Sequence, residues 1–136
     1  KKEKMKNLKI GFINILLFTI LGTLNIAAQI PQPEEGKGLV VFYRQKKFSG
    51  GAVKFSVKDS DKTYGQLTNG SVVNAQVEPG ERTFWSQVIS SDAITLTIEE
   101  GKVYYIKATV RTGALAGRPK FSQVDDKTAH KDMKLK

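Results

Sequence analysis

Ile94-Thr95-Leu96-Thr97-Ile98-Glu99-Glu100-Gly101-Lys102-Val103-Tyr104-Tyr105-Ile106-Lys107-Ala108-Thr109-Val110 is the stretch that decides the fold class. Ile94, Leu96 and Ile98 alternate with Thr95, Thr97 and Glu99. Successive side chains of a strand point to opposite faces, so this alternation gives one apolar and one polar face. Glu100-Gly101 reads as a turn. Beyond it Tyr104, Ile106, Ala108 and Val110 share one face of a second strand. Branched and aromatic side chains fit a pleated surface, and none of the spacing has the helical period.

The same pattern extends upstream. Leu39-Val40-Val41-Phe42-Tyr43 is a continuous apolar run of strand length, which suits a strand covered on both faces or one that changes sheets. Val53, Phe55 and Val57 alternate with lysine and serine. Asp59-Ser60-Asp61-Lys62 is a turn, Thr63 to Leu67 a short strand, and Asn69-Gly70 a hairpin-type turn that tolerates positive φ. Val73, Ala75 and Val77 make the next strand. Glu78-Pro79-Gly80-Glu81 turns the chain into Thr83-Phe84-Trp85. Phe121 to Val124 is the last strand. These short strands follow one another at about the 8–12-residue spacing of an all-β sandwich or barrel. No strand–helix–strand alternation suggests a parallel nucleotide-binding sheet. One short helix is expected near 126–134, capped by Asp125 or Asp126, with Ala129 and Met133 on one face. The expected fold is a small antiparallel β-sandwich over residues 38–136 with that C-terminal helix.

Residues 1–28 do not belong to it. Lys1, Lys2, Lys4, Lys6 and Lys9 precede an apolar run from Ile10 to Leu24, which ends at Ala27-Ala28-Gln29. A basic start, an apolar middle and small residues before a polar one describe a signal peptide. Met5 is the expected start, and cleavage is expected between Ala28 and Gln29. The competing reading keeps the stretch as an uncleaved anchor, which needs about 20 apolar residues. Residues 29–37, with Pro31 and Pro33, read as an extended linker. The expectation is therefore an exported protein, periplasmic, cell-surface or secreted.

The chain has 136 residues, no cysteine, one histidine and a net charge of +9. The absence of cysteine excludes disulfides, thiolate nucleophiles, cysteine-bound zinc and a lipid-anchored cysteine. The single His130 excludes a multi-histidine metal site. The leader holds five Lys and one Glu, so the remainder carries only +5. That is an ordinary surface charge and no signal for nucleic acid.

Candidate chemistry is sparse. His130 as a general base has no serine or cysteine motif beside it and reads as a solvated helix-end residue. Asp59, Asp61, Glu78 and Glu81 suggest calcium, yet the glycine and bidentate glutamate of a calcium loop are missing. Ser49-Gly50-Gly51 and Gly113 to Gly117 lack the Lys-Ser/Thr pair of a phosphate loop and read as hairpin loops. Phe84, Trp85, Tyr104 and Tyr105 as a sugar-stacking platform compete with core roles. Alternation places one of each neighbouring pair inward and the other toward solvent or a sheet edge. If buried, Trp85→Ala or Tyr104→Ala costs about 3–5 kcal/mol. Arg44, Lys46, Lys47, Arg111, Arg118 and Lys120 lie at strand ends. They form one basic rim if those ends meet. No catalytic residue, metal site or cofactor is assigned.

Several short motifs resemble one known family. Leu39-Val40-Val41-Phe42-Tyr43-Arg44 is similar to the opening strand of a bacterial envelope family catalogued as domain of unknown function 2846. Val53 to Gly70, Val77-Glu78-Pro79-Gly80-Glu81, Gly101-Lys102-Val103-Tyr104-Tyr105-Ile106 and Arg118-Pro119 to Lys136 resemble its later parts in order. Gly70 to Val110 also resembles the carbohydrate-surface domains called PEGA. Both resemblances imply a transthyretin-like or immunoglobulin-like sandwich. They imply no active site. Many relatives carry a cysteine at the signal cut, which this chain lacks. Two function classes follow. One is a non-enzymatic envelope module that binds a protein or glycan or serves a structural role. In that reading membrane contact comes only through the leader or weak electrostatics. The other is an envelope enzyme with an unrecognised site.

Overall fold

The computed structural model describes residues 30–86, 93–111 and 118–135. The leader, its Ala28–Gln29 junction and the Gly113 to Gly117 loop lie outside the described residues. The described chain is mostly β, with one C-terminal helix. Its strands are β1 (Gly38–Tyr43), β2 (Phe55–Lys58), β3 (Thr63–Leu67), β4 (Val72–Val77), β5 (Gly80–Phe84), β6 (Ile94–Ile98), β7 (Val103–Val110) and β8 (Pro119–Val124). Helix α1 (Asp126–Met133) follows.

A four-stranded sheet has the order β4-β1-β7-β8, and β2-β3 and β5-β6 form two antiparallel ribbons. The pairing is mostly antiparallel, as expected, with one exception: β1 and β7 are parallel, with Leu39 opposite Val103 and Tyr43 opposite Lys107. Neighbouring parallel strands need a long connection. Here the connection is the whole of β2–β6. The parallel pair therefore puts the C-terminal ends of β1 and β7 at one end of the sheet.

The continuous apolar run of β1 is explained by burial on both faces. Val40 and Phe42 face one way, Leu39, Val41 and Tyr43 the other, and all are at most 1% exposed. On the first face they meet Phe55, Val57, Leu67, Phe84, Leu96, Ile98 and Phe121, drawn from all three sheets. The Phe42 ring lies edge-on to Phe84 at 5.2 Å and tilted to Phe121 at 5.5 Å. On the second face Leu39, Val41, Tyr43 and Tyr105 pack on Ala129 of α1, with Ile30, Val103, Val124 and Met133 around them.

That second cluster bears on three expectations. Tyr105 does not face solvent, because α1 covers it. Ile30–Lys37 is irregular but docked: Ile30 packs on the cluster, and the Gln76 side chain accepts from Glu34 N and donates to Gln32 O. His130 is half-buried, edge-on to Tyr105 with ring centroids 5.6 Å apart. The cap is Asp125, whose carboxylate accepts from Thr128 N, and the helix closes on Lys134 with φ 56°.

Candidate functional site

The two ends of the four-stranded sheet differ in charge. At the end where β1 and β7 begin lie Glu34, Glu35, Glu78, Glu81, Glu99 and Glu100, together with Asp125 and Asp126 after β8. Its lysines are matched: Lys37 pairs with Glu34 and Lys102 with Glu99. At the other end lie residues 44–54, 68–71, 109–111 and 118–120. They carry Lys46, Lys47, Lys54, Arg111, Arg118 and Lys120 and no Asp or Glu. Five of the six cations named from sequence, Lys46, Lys47, Arg111, Arg118 and Lys120, thus follow or flank strand ends on one side of the sheet. Arg111 N bonds Arg118 O across the start of the β7–β8 pairing.

Arg44 is the exception. It is 5% exposed and turned inward. Its guanidinium donates to Val53 O and Gly50 O and lies 5.5 Å from the Phe55 ring centroid. Burial holds its pKa below the usual arginine value. It is a clasp on the β1–β2 connection, not a rim cation. The clasp also explains why β2 starts at Phe55 and not at Val53, and why Ser49-Gly50-Gly51 belongs to a crossing between sheets and not to a hairpin.

A groove of about 510 Å³ opens beside this end, between β4 and the end of α1. Tyr43, Val72, Ile30, Met133 and Leu135 give it apolar walls, and Lys46, Lys47 and Lys134 border it. Asp132 fixes its helix side. The Asp132 carboxylate accepts from Tyr43 Oη at 2.7 Å, Lys107 Nζ at 2.7 Å and Gln45 Nε2 at 2.8 Å. Lys107 and then Tyr43 hold its carboxyl below the usual range. Burial, then the Asp132 carboxylate, pushes the Tyr43 phenol well above its ordinary value. Such groups satisfy one another: the phenol stays protonated and the carboxylate ionised near neutral pH. A smaller cleft of about 240 Å³ lies between the loop after β1 and the end of β7, with Lys47, Ser49, Lys107 and Thr109 on its walls.

The remaining candidates do not converge. The Asp59 carboxylate accepts from Asp61 N and Lys62 N at 2.9 Å each and from Tyr64 Oη at 2.6 Å. Burial alone would raise its pKa, but these donors and Arg82 outweigh it and lower it. Asp61 turns to Arg82 at 2.5 Å. This is a braced turn. Glu78 and Glu81 lie at the acidic end. Tyr104 and Tyr105 point to opposite faces of one sheet and form no common platform; the Tyr104 hydroxyl accepts from Glu99 N. Phe84 is buried, and Trp85 is half-buried in a bridge with Lys58. Among the described residues no three of His, Cys, Asp and Glu cluster to hold a metal ion, and no helix is long and apolar enough to cross a membrane.

Two features escaped the sequence reading. One is the Asp132 node, which joins residues 89 positions apart. The other is Phe48, fully exposed at the tip of the β1–β2 connection. Its sequence signal was available: a lone aromatic outside every strand period, between two lysines and a Ser-Gly-Gly step.

A protein family described as "Protein of unknown function (DUF2846)" matches residues 34–119, and the chain belongs to it. The match ends at the start of β8. No curated protein and no solved structure matches the chain.

Proposed function

We propose that this chain is an exported, non-catalytic module of a bacterial cell envelope that holds an anionic envelope component at its basic end. The observation that carries the reading is the segregation of charge along the sheet. Three neighbouring segments, 44–54, 109–111 and 118–120, contribute cations and no carboxylate, whereas the opposite end pairs Lys37 and Lys102 with glutamates. Like charges placed close together raise the potential over that surface and attract an anion of complementary shape. The exposed Arg118 adds a planar donor suited to carboxylate, phosphate or sulfate. The Lys-rich leader supports export. The core shared between the four-stranded sheet and the two ribbons supports a two-layer β-sandwich of the transthyretin or immunoglobulin kind.

The competing reading is an envelope enzyme working in the groove beside Tyr43 and Asp132. It is the weaker one on chemical grounds. A general acid or base works best with a pKa near the working pH. Tyr43 and Asp132 are shifted away from neutrality in opposite directions.

The test is retention on heparin, used as an anionic glycan probe, across a salt gradient. Wild type should elute at higher salt than the Lys46→Glu/Arg118→Glu variant, because screening within about 10 Å at 0.1 M salt weakens contacts among exposed charges. Equal elution of the two proteins would remove the basic end as a binding surface.

A further inference from the structure

We propose that the basic end docks on the surface of an anionic lipid bilayer, with Phe48 entering the interface; this rests on the basic-end reading above and names its partner. Phe48 is 103% exposed, while Val72, the other large apolar residue exposed among the described residues, is at 44%. An isolated exposed apolar side chain is ordinary on a protein surface. Phe48 differs because the loop is built to hold it there.

On one side of Phe48, the Asn69 side chain clamps the Lys47 backbone twice. Its Oδ1 accepts from Lys47 N at 2.8 Å and its Nδ2 donates to Lys47 O at 2.9 Å. On the other side, the buried Arg44 guanidinium holds Gly50 O and Val53 O. Gly51 N bonds Phe48 O at 3.2 Å, closing the turn under the ring. Gly51 is needed there, since a Cβ would meet Asn69 Nδ2 at 3.1 Å and the carbonyls of Lys47 and Phe48 at 3.2 Å. The ring is therefore presented by a doubly anchored loop and not by a loose one.

Its surroundings fit a bilayer better than a soluble partner. A protein interface centres its aromatic anchors in an apolar, water-excluding patch. Here lysines flank the aromatic, and the neighbouring segments bring arginines in place of apolar side chains. That pairing suits the boundary of a membrane. The ring enters the acyl region while the lysines keep their ammonium groups among phosphates. Each Lys near an anionic surface strengthens binding about fivefold.

The experiment places a tryptophan at the tip. The full chain carrying Phe48→Trp is mixed with vesicles of phosphatidylglycerol brominated on the acyl chains, and separately with brominated phosphatidylcholine. Wild type, whose one tryptophan is Trp85, gives the background, and the leader contributes equally to both proteins. Docking predicts a shorter emission wavelength and quenching of the new tryptophan by the anionic vesicles alone. Lys46→Glu/Lys47→Glu in the same chain should reduce the quenching at least tenfold at a given lipid concentration. A tryptophan that keeps its aqueous emission on phosphatidylglycerol overturns the proposal. Quenching equal on both lipids also overturns it, because charge would then play no part. Heparin retention separates the two readings. If it persists without quenching, lipid docking falls and the basic end stands. If both are absent, both fall.

Discussion

The two ends of the four-stranded sheet are closed by opposite devices. At the acidic end the backbone does the work. Gly38 lets β1 pass so close to the β6–β7 turn that an added Cβ would lie 2.5 Å from Ile98 Cγ2 and 2.9 Å from Glu99 O. The charges there pair locally. At the basic end a side chain does the work: Arg44 runs inward and holds the carbonyls of a long crossing connection. One cation is spent inside, and its neighbours Lys46 and Lys47 remain outside. Charge at the first end is balanced by glutamates in place, whereas at the second Lys46 and Lys47 stand in exposed positions.

Replacing the clasp should have the largest effect. Arg44→Met keeps the packing on Phe55 but takes the donor from Val53 O, while Gly50 O keeps its bond from Val53 N. The expected loss is about 3 kcal/mol, the upper end of about 1–3 kcal/mol for an acceptor that loses a charged donor. Urea unfolding measures it. Arg44→Lys should recover little, since an ammonium does not offer the fork that reaches two carbonyls. A loss under about 0.5 kcal/mol would show that Arg44 belongs with the outer cations after all, and would erase the contrast between the ends.

Gly38→Ala probes the other closure. The added methyl forces β1 away from Ile98 or Glu99, at an expected cost of about 1–3 kcal/mol in the same unfolding experiment. A neutral result would mean the acidic end is loosely packed. The charge-pair variants Lys37→Ala and Lys102→Ala should leave the midpoint unchanged, as exposed pairs contribute little.

A smaller effect ties the basic end to the helix face. Asp132→Asn weakens the hydrogen bonds from Lys107, Tyr43 and Gln45 and should cost about 1–2 kcal/mol near neutral pH. Its pH signature is distinct. The folded carboxyl titrates below its unfolded value, so its contribution is present above about pH 4 and disappears as the pH falls through the lowered folded pKa. The Tyr43 phenol is raised in the folded state, so its contribution is present below about pH 10 and fades above it. Tyr105, pushed up to about 12 by burial and then by the Asp126 carboxylate, acts in the same alkaline direction. The difference in stability between wild type and Asp132→Asn should therefore shrink below pH 4. A difference independent of pH down to pH 2 would assign Asp132 a packing role only.

Much of this architecture was legible in the residues, because short strands carry local signals. The short strand expected over Thr63–Leu67 and the alternations over Ile94–Ile98 and Val103–Val110 coincide with β3, β6 and β7, and the doubly apolar run of β1 is buried on both sides. Pairing was not legible. Asn69-Gly70 does form its turn, with Gly70 at φ 79°, but it connects strands of different sheets. Local turn chemistry is blind to which sheet a strand joins. The parallel β1–β7 contact puts the strand ends that precede Lys46, Lys47 and Arg111 on one side of the sheet, and it brings together strands that lie 64 residues apart in the chain. Arg44 reads like its neighbours in the basic run and differs only through the buried carbonyls that it reaches. The site was thus half visible: its cations could be named, but their shared end and the inward turn of one of them come from the tertiary fold.

The central claim is that location, and not net charge, makes the basic end a binding surface. Two variants that lose the same charge test it directly. Lys46→Gln/Lys47→Gln removes two cations from the basic end, and Lys37→Gln/Lys102→Gln removes two from the opposite, acidic end. Dissociation constants for heparin at 0.05 M salt should rise at least tenfold for the first and less than about twofold for the second, since exposed charges farther than a Debye length of about 14 Å act weakly. Equal losses from the two variants would contradict the account, because the protein would then bind through its overall charge.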